Sequence, residues 1–414
     1  MAQRIRIPIK AWHGDEEMDL EFPDAWNVQN CQMAGHDTPE ISDEEIREAL
    51  ENPYETETLR EMAKGKEQVV ILFDDLTRPA PTHRLLPFVL EDLAAAGIKD
   101  DNIRCVGAFA NHAAMLQDEF VKKLGADVVR RFRIYNHNPY EHLVDLGKTS
   151  RGTPMLVNRE VMSCDLKIGI GGLIPHPSAG FGGGGKMVFP GVTGIDAVGV
   201  NHGRPKPPDQ ETGPAGMLGR VDGNAMREDL EEAVRKVGLN MKIDLLINNR
   251  REVVGVFAGD FVAQHRAGVK RAKALYATST PPDCDIVVCN SYPIENQTGK
   301  SVWPIRICLK KGGTAVVISE TIEGQAVHYL NGRFGTGYGG RLWKKSTGML
   351  PDAGRILVLS SYHSRVDLDR YGSDEQVVPC ETWDEVLSHL KEAHPNDAKV
   401  AVFPNAAIQC PENA

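Results

Sequence analysis

Residues 164–204, CDLKIGIGGLIPHPSAGFGGGGKMVFPGVTGIDAVGVNHGR, decide how the rest of the chain is interpreted. The stretch begins with an apolar run, Leu166 to Ile170, that predicts a buried strand, and His176 lies in the following turn. Four consecutive glycines then precede Lys186, and a further segment ends on His202. Because glycine tolerates positive φ and lets the backbone approach a bound group closely, this loop is suited to a ligand site.

Two chemical roles are open to a lysine that directly follows such a loop. It can hold a phosphate as a point charge, or it can supply an amine for covalent chemistry. A Walker loop would place Ser or Thr after the lysine; Met187 stands there instead, which disfavours a nucleotide triphosphatase. A flexible surface loop is the simpler alternative, but His176 lies ten residues before Lys186 and His202 sixteen after it, which favours a site.

The length of 414 residues favours two domains. Strands and helices alternate in both halves, so the expected fold class is α/β, with two domains that each contain a mostly parallel sheet flanked by helices. Residues 1–275 are expected to form a larger N-terminal cofactor-binding and catalytic domain. Residues 276–414 are expected to form a smaller C-terminal α/β domain that closes the substrate site, with the active site in the cleft between the two.

The composition of the chain argues against several classes of binding partner. A net charge of −10 argues against nucleic acid or an anionic membrane as the main partner, and no apolar run is long enough for a membrane helix. Eight cysteines without a CxxC pair indicate reduced thiols in a cytoplasmic protein. An anionic small molecule would therefore need a local cationic pocket.

Two predicted strands deliver polar residues to one edge of a sheet. The run from Gln68 to Asp75 predicts a strand buried on both faces, followed by Thr77 and Arg78. His112 comes just beyond a second predicted strand. Ligands of open α/β sheets bind at these carboxyl ends, although a lone histidine there is more often structural.

Those residue types allow a definite chemistry. The Arg78 guanidinium offers a planar fork for a carboxylate or phosphate. Two neutral histidines on opposite sides of a substrate carbon could alternate as bases, as inversion of a stereocentre requires. A third histidine is a good ligand for nickel or zinc. Three histidines alone would suggest a zinc hydrolase, but the glycine loop and its lysine would then have no role.

Five short motifs occur in a fixed order: DLTRP at 75–79, ANHAA at 110–114, PHPSAG at 175–180, GGGGKM at 182–187 and VNHG at 200–203. Together they resemble the signature of the nickel-pincer lactate racemase family, whose members use the nickel complex of pyridinium-3,5-bisthiocarboxylic acid mononucleotide. Each motif is weak alone, but their common order over about 130 residues is fairly specific.

The resemblance implies a role for each motif. Lys186 would hold the cofactor covalently through a thioamide bond, and His202 would be the protein ligand of the nickel. His112 and His176 would be the paired acid and base, and Arg78, oriented near Asp75, would bind the substrate carboxylate. The remaining residues implied to line the cofactor and its phosphate are Thr77, Gly182, Gly183, Gly184 and Gly185.

The implied reaction is the racemisation or epimerisation of a 2-hydroxy acid. One histidine would remove the hydroxyl proton while hydride leaves C2 for the cofactor, giving a planar 2-keto acid. Hydride would then return to the opposite face while the other histidine supplies the proton. Cofactor-biosynthesis proteins would be the maturation partners.

The second half departs from the lactate-specific pattern. Where lactate racemases carry a Tyr-Gln pair and then a lysine, YPIENQTGKSVW places Gly299, Lys300 and Trp303 at about those positions. Lys300 would give a second cation for a diacid such as malate, or hydrogen bonds for a sugar acid, and Trp303 would reshape the pocket; the simpler interpretation of Lys300 is a solvated surface lysine. Gln297 and Arg306 are further candidate pocket residues, and the glycine-rich loop 331–340 is a candidate lining segment.

Two other functions stay open at this stage. One is a hydrolase or lyase that binds a divalent metal directly through the same histidines. The other is a cofactor-binding or carrier protein without turnover, which the presence of both His112 and His176 disfavours, because storage needs no base on either face.

Overall fold

A computed structural model describes residues 3–203, 216–329 and 348–413. The candidate loop 331–340 therefore lies outside the described residues. Within them the α-helices are Asp43–Glu51, Leu59–Ala63, Leu86–Ala95, Gln117–Leu124, Ala126–Arg131, Arg159–Met162, Ile195–Gly203, Ala225–Val237, Ala263–Tyr276, Trp303–Cys308, Arg365–Leu368 and Trp383–Ala393.

The first sheet has six strands and positions most of the predicted site. Its neighbouring strands are parallel except at one edge, where Val253–Gly259 runs antiparallel to its neighbour. All five residues of the central strand Val69–Phe73 are apolar and buried, because helices cover both faces of a parallel sheet. Across the sheet the order is Val253–Gly259, Met241–Ile247, Leu166–Gly172, Val69–Phe73, Ile103–Gly107 and Arg133–Asn136.

This strand order contains a reversal. From Val69–Phe73 the chain proceeds to Ile103–Gly107 on one side, and later returns as Leu166–Gly172 on the other side. A crevice opens beyond the carboxyl ends of strands at such a reversal, and open α/β sheets bind their ligands there. The segments that carry DLTRP, ANHAA and PHPSAG all begin at these three carboxyl ends.

The second sheet also has six strands, and all neighbouring pairs are parallel. The hairpin of Gln3–Ile9 and Glu16–Phe22 packs its apolar side into the core of this sheet. With helices flanking both sheets, the α/β class expected from the sequence is confirmed. Across the sheet the order is Val377–Cys380, Arg355–Leu359, Leu309–Ile318, Cys284–Asn290, Lys399–Phe403 and Asn27–Asn30.

The position of the N-terminal segment differs from the sequence expectation. Residues 1–275 were expected to form one domain, yet strand Asn27–Asn30 pairs with Lys399–Phe403 at the edge of the second sheet. The preceding hairpin belongs to the same core. The division at 275/276 stays a prediction for the rest of the chain, but the first 30 or so residues pack with the C-terminal sheet.

Shorter strand pairs complete the fold. None of the three was predicted from the sequence, because their strands are short or half-exposed. One of them, at residues 175–181, carries His176. The pairs are Leu143–Lys148 with Pro154–Asn158, Pro175–His176 with Gly180–Phe181, and Ala277–Thr278 with Cys410–Pro411.

Candidate active site

A cavity of about 150 Å³ lies at the reversal of the first sheet. It collects most of the predicted site residues, although they come from widely separated parts of the sequence. Five predicted residues do not line it: Thr77, Gly184, Gly185, Trp303 and Arg306. Those that do are Asp75, Arg78, His112, His176, Gly182, Gly183, Lys186, His202, Gln297 and Lys300.

Asp75 orients His112. The Nδ1 atom of His112 lies 2.6 Å from Oδ2 of Asp75, and Thr77 donates to Oδ1 through its backbone N–H at 3.0 Å. Burial alone would raise the pKa of Asp75, but His112, Arg78 and the Thr77 hydroxyl outweigh it and hold the pKa below its usual range. Asp75 is therefore a carboxylate that fixes the imidazole. Thr77 supports that carboxylate from outside the cavity.

Arg78 reaches across to the C-terminal part of the chain. Its Nη1 donates to Oγ1 of Thr77 at 2.8 Å and to Oε1 of Gln297 at 3.3 Å. Beneath this loop the fully buried Lys123 forms an ion pair with Asp74 and donates to the Arg78 carbonyl at 2.8 Å. The sequence analysis did not identify Lys123, because a helical lysine gives no signal of burial.

His176 is held in a different way from His112. It is buried beside a tight turn, and its Nδ1 accepts from the backbone N–H of Ser178 at 3.2 Å and of Ala179 at 3.1 Å. Burial, with Lys186 and Lys300 nearby, lowers the pKa of His176 well below its ordinary value. The ring is therefore neutral.

The two histidines thus have opposite tautomers. Because Asp75 is an acceptor, the neutral tautomer of His112 that this contact favours carries its hydrogen on Nδ1 and its lone pair on Nε2. Because Nδ1 of His176 accepts two N–H groups, its hydrogen is on Nε2. The pair offers one proton acceptor and one hydrogen-bond donor in the same cavity.

Lys186 lies in a single 3₁₀ turn, Gly184–Met187, at the end of the glycine run. Burial, with the positive charges of Arg227 and Arg78, lowers the pKa of Lys186 well below its ordinary value. An uncharged amine is nucleophilic, so this environment is suited to covalent attachment.

The glycine run is required by its packing. Gly183 and Gly184 have φ of +69° and +56°, in the left-handed region that favours glycine. A Cβ on Gly183 would lie 2.6 Å from the Asp244 carboxylate, and a Cβ on Gly184 would lie 2.9 Å from the His265 ring. Gly184 and Gly185 face this scaffold and do not line the cavity, so their contact with a bound cofactor stays a prediction.

A buried polar cluster supports the loop from below. Asp244 accepts from the backbone N–H of Gly184 at 2.7 Å and from Lys242 Nζ at 2.6 Å. Arg227 donates to the carbonyls of Phe181 and, at 3.3 Å, of Gly183. None of these residues was singled out from the sequence, since their positions in ordinary strands and helices give no indication of a shared partner.

His202 has the features of a metal ligand. It lies in the last turn of helix Ile195–Gly203, a segment to which the sequence analysis assigned no secondary structure. Its Nδ1 is buried and has no hydrogen-bond partner among the residues that the structure describes. Burial, with Lys186 and His112 nearby, lowers the pKa of His202 to about 3, so the ring is neutral. A nitrogen lone pair left unsatisfied in this way fits coordination by a bound metal.

Lys300 is not a surface residue. It is 9% exposed, and its Nζ is buried without a hydrogen-bond partner in the described part of the chain. The simpler interpretation of a solvated lysine is therefore wrong. Burial, followed by the positive charge of Arg78, lowers the pKa of Lys300 well below its ordinary value.

Trp303 was predicted to bind substrate, but the structure does not bring it to the cavity. Its Nε1 donates to the carbonyl of Ala406 at 2.9 Å, and its ring packs edge-on against Phe403. Arg306, another candidate, donates to the carbonyl of Met349 at 3.2 Å and lies away from the lining.

His328 also lines the cavity, and the sequence analysis did not identify it. The His328 ring centroid lies 4.3 Å from that of His112, and one His328 ring nitrogen lies 2.7 Å from Nε2 of Gln297. Asn111, beside His112 in the sequence, lies 3.1 Å from the other ring nitrogen. A single histidine in a polar segment more than 200 residues from His112 carries no pattern that could have identified it.

The described residues contain neither a preformed metal-binding group of side chains nor a membrane-spanning helix. No group of three or more His, Cys, Asp or Glu side chains is arranged to hold a metal ion. No helix in residues 3–203, 216–329 or 348–413 has both the length and the apolar character to cross a bilayer. All eight cysteines are buried free thiols.

Comparison with known proteins gives consistent matches. Residues 13–213 match the model of the lactate racemase N-terminal domain. A lactate racemase from Lactiplantibacillus plantarum is 30% identical over 289 residues, covering 68% of this chain and 66% of that protein, just under two thirds of its length. One from Thermoanaerobacterium thermosaccharolyticum is 27% identical over 330 residues, covering 77% of this chain and 75% of that protein.

The fold comparison agrees over almost the whole chain. The structure of the lactate racemase apoprotein from Thermoanaerobacterium thermosaccharolyticum superposes with a TM-score of 0.74 at 20% identity, covering 99% of this chain and 100% of that one. A structural-genomics crystal structure from Thermotoga maritima has a TM-score of 0.63 at 17% identity, covering 88% of this chain and 97% of that one. The chain is therefore a distant homologue of the lactate racemases.

Proposed function

We propose that this chain is a racemase or epimerase that inverts C2 of a 2-hydroxy acid with a nickel-pincer nucleotide tethered to Lys186. The sequence relatives that are lactate racemases support the reaction class. The observation that carries the proposal is that one cavity holds the neutral Lys186 amine, two histidines in opposite tautomers, and the Nδ1 of His202, which has no partner among the described residues.

Residues of this chain fit the cofactor that the resemblance implies. The Lys186 amine would form the covalent link, His202 would coordinate nickel, and Gly182 and Gly183 would let the bound group lie close to the backbone. When bound, this group supplies a reversible hydride acceptor for C2 of the substrate. The donor atoms of the bound nucleotide would complete the coordination of nickel, so one protein ligand is sufficient.

The other lining residues bind the substrate and move its proton. Arg78 and Lys300, which line the same cavity, bind the carboxylate, and Asp75 keeps the His112 imidazole in place. The free Nε2 lone pair of His112 takes the hydroxyl proton as hydride leaves C2. Asp75 stabilises the imidazolium that results, in the way a carboxylate supports histidine in hydrolase triads.

His176 acts on the other face of C2. Its Nε2–H donates a hydrogen bond to the substrate oxygen in the tautomer found here. Giving up this single proton would leave an imidazolate, so proton transfer in either direction needs a hydrogen on Nδ1: His176 donates from Nε2 as an imidazolium and accepts at Nε2 as the Nδ1–H tautomer. The two N–H···Nδ1 bonds from the 176–179 turn must then break, so this turn rearranges during each full inversion.

Three further expectations stay part of the proposal. We expect an active site in a cleft between two domains, maturation by cofactor-biosynthesis proteins, and a cytoplasmic location. The maturation partners follow from the family resemblance, and the cytoplasmic location follows from the cysteine composition. The alternative of a hydrolase or lyase needs several protein ligands at one point, and the described residues offer no such group. A carrier without turnover would have no use for the Asp75–His112 pair.

A racemisation assay tests the proposal. Protein is produced together with a cofactor-synthesis system and given one enantiomer of a 2-hydroxy acid, and the appearance of the other is followed by chiral chromatography. We expect racemisation, and a loss of about 10²- to 10⁴-fold in His112→Ala, since general base catalysis contributes on that order. The exposed His389 provides the matched control, His389→Ala. Absence of turnover with every 2-hydroxy acid tried, in protein that carries the lysine adduct, would contradict the proposal.

A further inference from the structure

The carboxylate of Asp229 lies in the protein interior and accepts hydrogen bonds from three neutral groups. Asp229 belongs to helix Ala225–Val237 and is 2% exposed. The Thr149 hydroxyl donates to its Oδ1 at 2.6 Å, and the Thr153 hydroxyl and Nδ2 of Asn201 donate to its Oδ2, each at 2.7 Å. Burying a carboxylate is unfavourable, and these charge-assisted bonds offset that cost. Asp229 does not line the cavity, and the proposed reaction gives it no role.

Asn201 connects this carboxylate to the candidate metal ligand. It directly precedes His202 in the last turn of helix Ile195–Gly203. Asn201 is buried, and its Oδ1 has no hydrogen-bond partner among the residues that the structure describes, so the bond from Nδ2 to Asp229 anchors the side chain. The last turn of a helix frays readily, because its final carbonyls lack intrahelical partners. The anchored amide therefore fixes the orientation of this turn.

The direction of His202 follows from that of Asn201. Successive side chains of an α-helix lie about 100° apart around its axis. Val198 and His202, four residues apart, share the face that lines the cavity, whereas Asn201 does not line it and is turned toward Asp229. A turn released from Asp229 would rotate or unwind and would carry His202 with it. Groups that orient a metal ligand typically contribute about 10- to 100-fold to metal affinity.

Helix Ala225–Val237 also contacts the loop of the covalent attachment. Arg227, two residues before Asp229, donates to the carbonyl of Gly183 at 3.3 Å, and Gly183 lies three residues before Lys186. One helix therefore contacts both points at which the cofactor would be held. Its two buried charged side chains fix these points relative to each other.

We propose that Asp229 is a positioning residue that, through Asn201, keeps His202 directed at the nickel of a cofactor tethered to Lys186. This inference rests on the proposed function, because it takes His202 as the metal ligand. Loss of the bond between Asp229 and Asn201 should weaken the retention of nickel and leave the covalent link at Lys186 intact.

The test measures two quantities on cofactor-loaded protein. Peptide mass spectrometry gives the amount of the Lys186 adduct, and elemental analysis after timed exposure to EDTA gives the rate of nickel loss. In Asp229→Ala we expect the adduct at the wild-type level and nickel loss about 10- to 100-fold faster. Asn201→Asp should accelerate nickel loss in the same way, because two carboxylates would then face each other.

Three further variants of nearly unchanged size distinguish this hydrogen bond from general packing. Asp229→Asn keeps a carbonyl oxygen for Asn201, since the Thr149 hydroxyl can accept from the new amide, and should lose nickel at close to the wild-type rate. Thr153→Val is the matched control, because it removes the other bond to Oδ2 and leaves Asn201 in place. The double variant Asn201→Asp with Asp229→Asn restores a donor facing an acceptor and should recover most of the retention lost in Asn201→Asp alone.

Two outcomes on loaded protein would overturn the inference. One is nickel loss in Asp229→Ala and Asn201→Asp no faster than in Thr153→Val. The other is loss of the adduct and of nickel in equal proportion, without recovery in the double variant, since that pattern indicates general destabilisation.

Hydrogen–deuterium exchange of the cofactor-free proteins separates this inference from the racemase proposal. We expect the amides of residues 195–203 to exchange faster in Asp229→Ala and Asn201→Asp than in the wild type and Thr153→Val. If the wild type carries neither adduct nor nickel but exchange follows this pattern, the nickel-pincer function fails and the positioning of the His202 helix by Asp229 stands. Unchanged exchange in both variants would overturn the inference whatever the metal content.

Discussion

At the scale of single residues, the site depends on how the protein sets the protonation of each side chain. Asp75 and the Ser178 and Ala179 N–H groups give His112 and His176 opposite tautomers. Sequence motifs predicted both histidines but not this difference, because the tautomer depends on which atom each Nδ1 faces. That information exists only after the 176–179 turn has formed.

The tautomers give a prediction that needs no cofactor. In ¹⁵N-histidine spectra of the cofactor-free protein we expect His112 to carry hydrogen on Nδ1 and His176 on Nε2. Burial and nearby lysines lower the pKa of His176, so its neutral signals should persist as the pH falls through the usual histidine range. Spectra of His112→Gln and His176→Gln assign the signals. Equal tautomers, or a His176 that protonates near its ordinary pKa, would contradict this description.

At the scale of elements, the glycine run is a turn shaped by what lies beneath it. Motif GGGGKM predicted a ligand loop, but not the cluster of Asp244, Lys242 and Arg227 that holds it. Those residues belong to a strand and a helix with ordinary sequence patterns, and only the tertiary fold brings them below the loop.

Two alanine substitutions in this run are expected to differ. Gly184 has φ of +56° and no room for a Cβ, so Gly184→Ala should lower the free energy of unfolding by roughly 1–3 kcal/mol. Gly182 does not have a φ in the left-handed region, and a Cβ there would meet its nearest atom at 3.5 Å, so Gly182→Ala is the matched control with a smaller effect. Urea unfolding of the cofactor-free variants measures both. Equal losses would show that the run is not strained as described.

At the scale of the whole molecule, one mostly parallel and one parallel sheet are completed by segments that sequence patterns did not assign to them. Apolar runs in the sequence predicted strands of the first sheet, for example Val69–Phe73 and Leu166–Gly172. Strand Asn27–Asn30 has one half-buried and three exposed residues and pairs with a strand about 370 positions later. His328 likewise reaches the cavity only through the fold. Local sequence patterns predict individual strands and helices, but which of these elements lie next to each other depends on long-range pairing.

The attachment of the cofactor to Lys186 underlies the proposed reaction. Intact and peptide mass spectrometry, with nickel analysis, is performed on protein produced together with a cofactor-synthesis system that is shown to load a known lactate racemase. We predict a mass adduct on the peptide that contains Lys186 and about one nickel per chain, both lost in Lys186→Ala, since one lysine link and one His202 ligand are available. An unmodified Lys186 peptide without nickel, under these same conditions, would contradict the nickel-pincer mechanism.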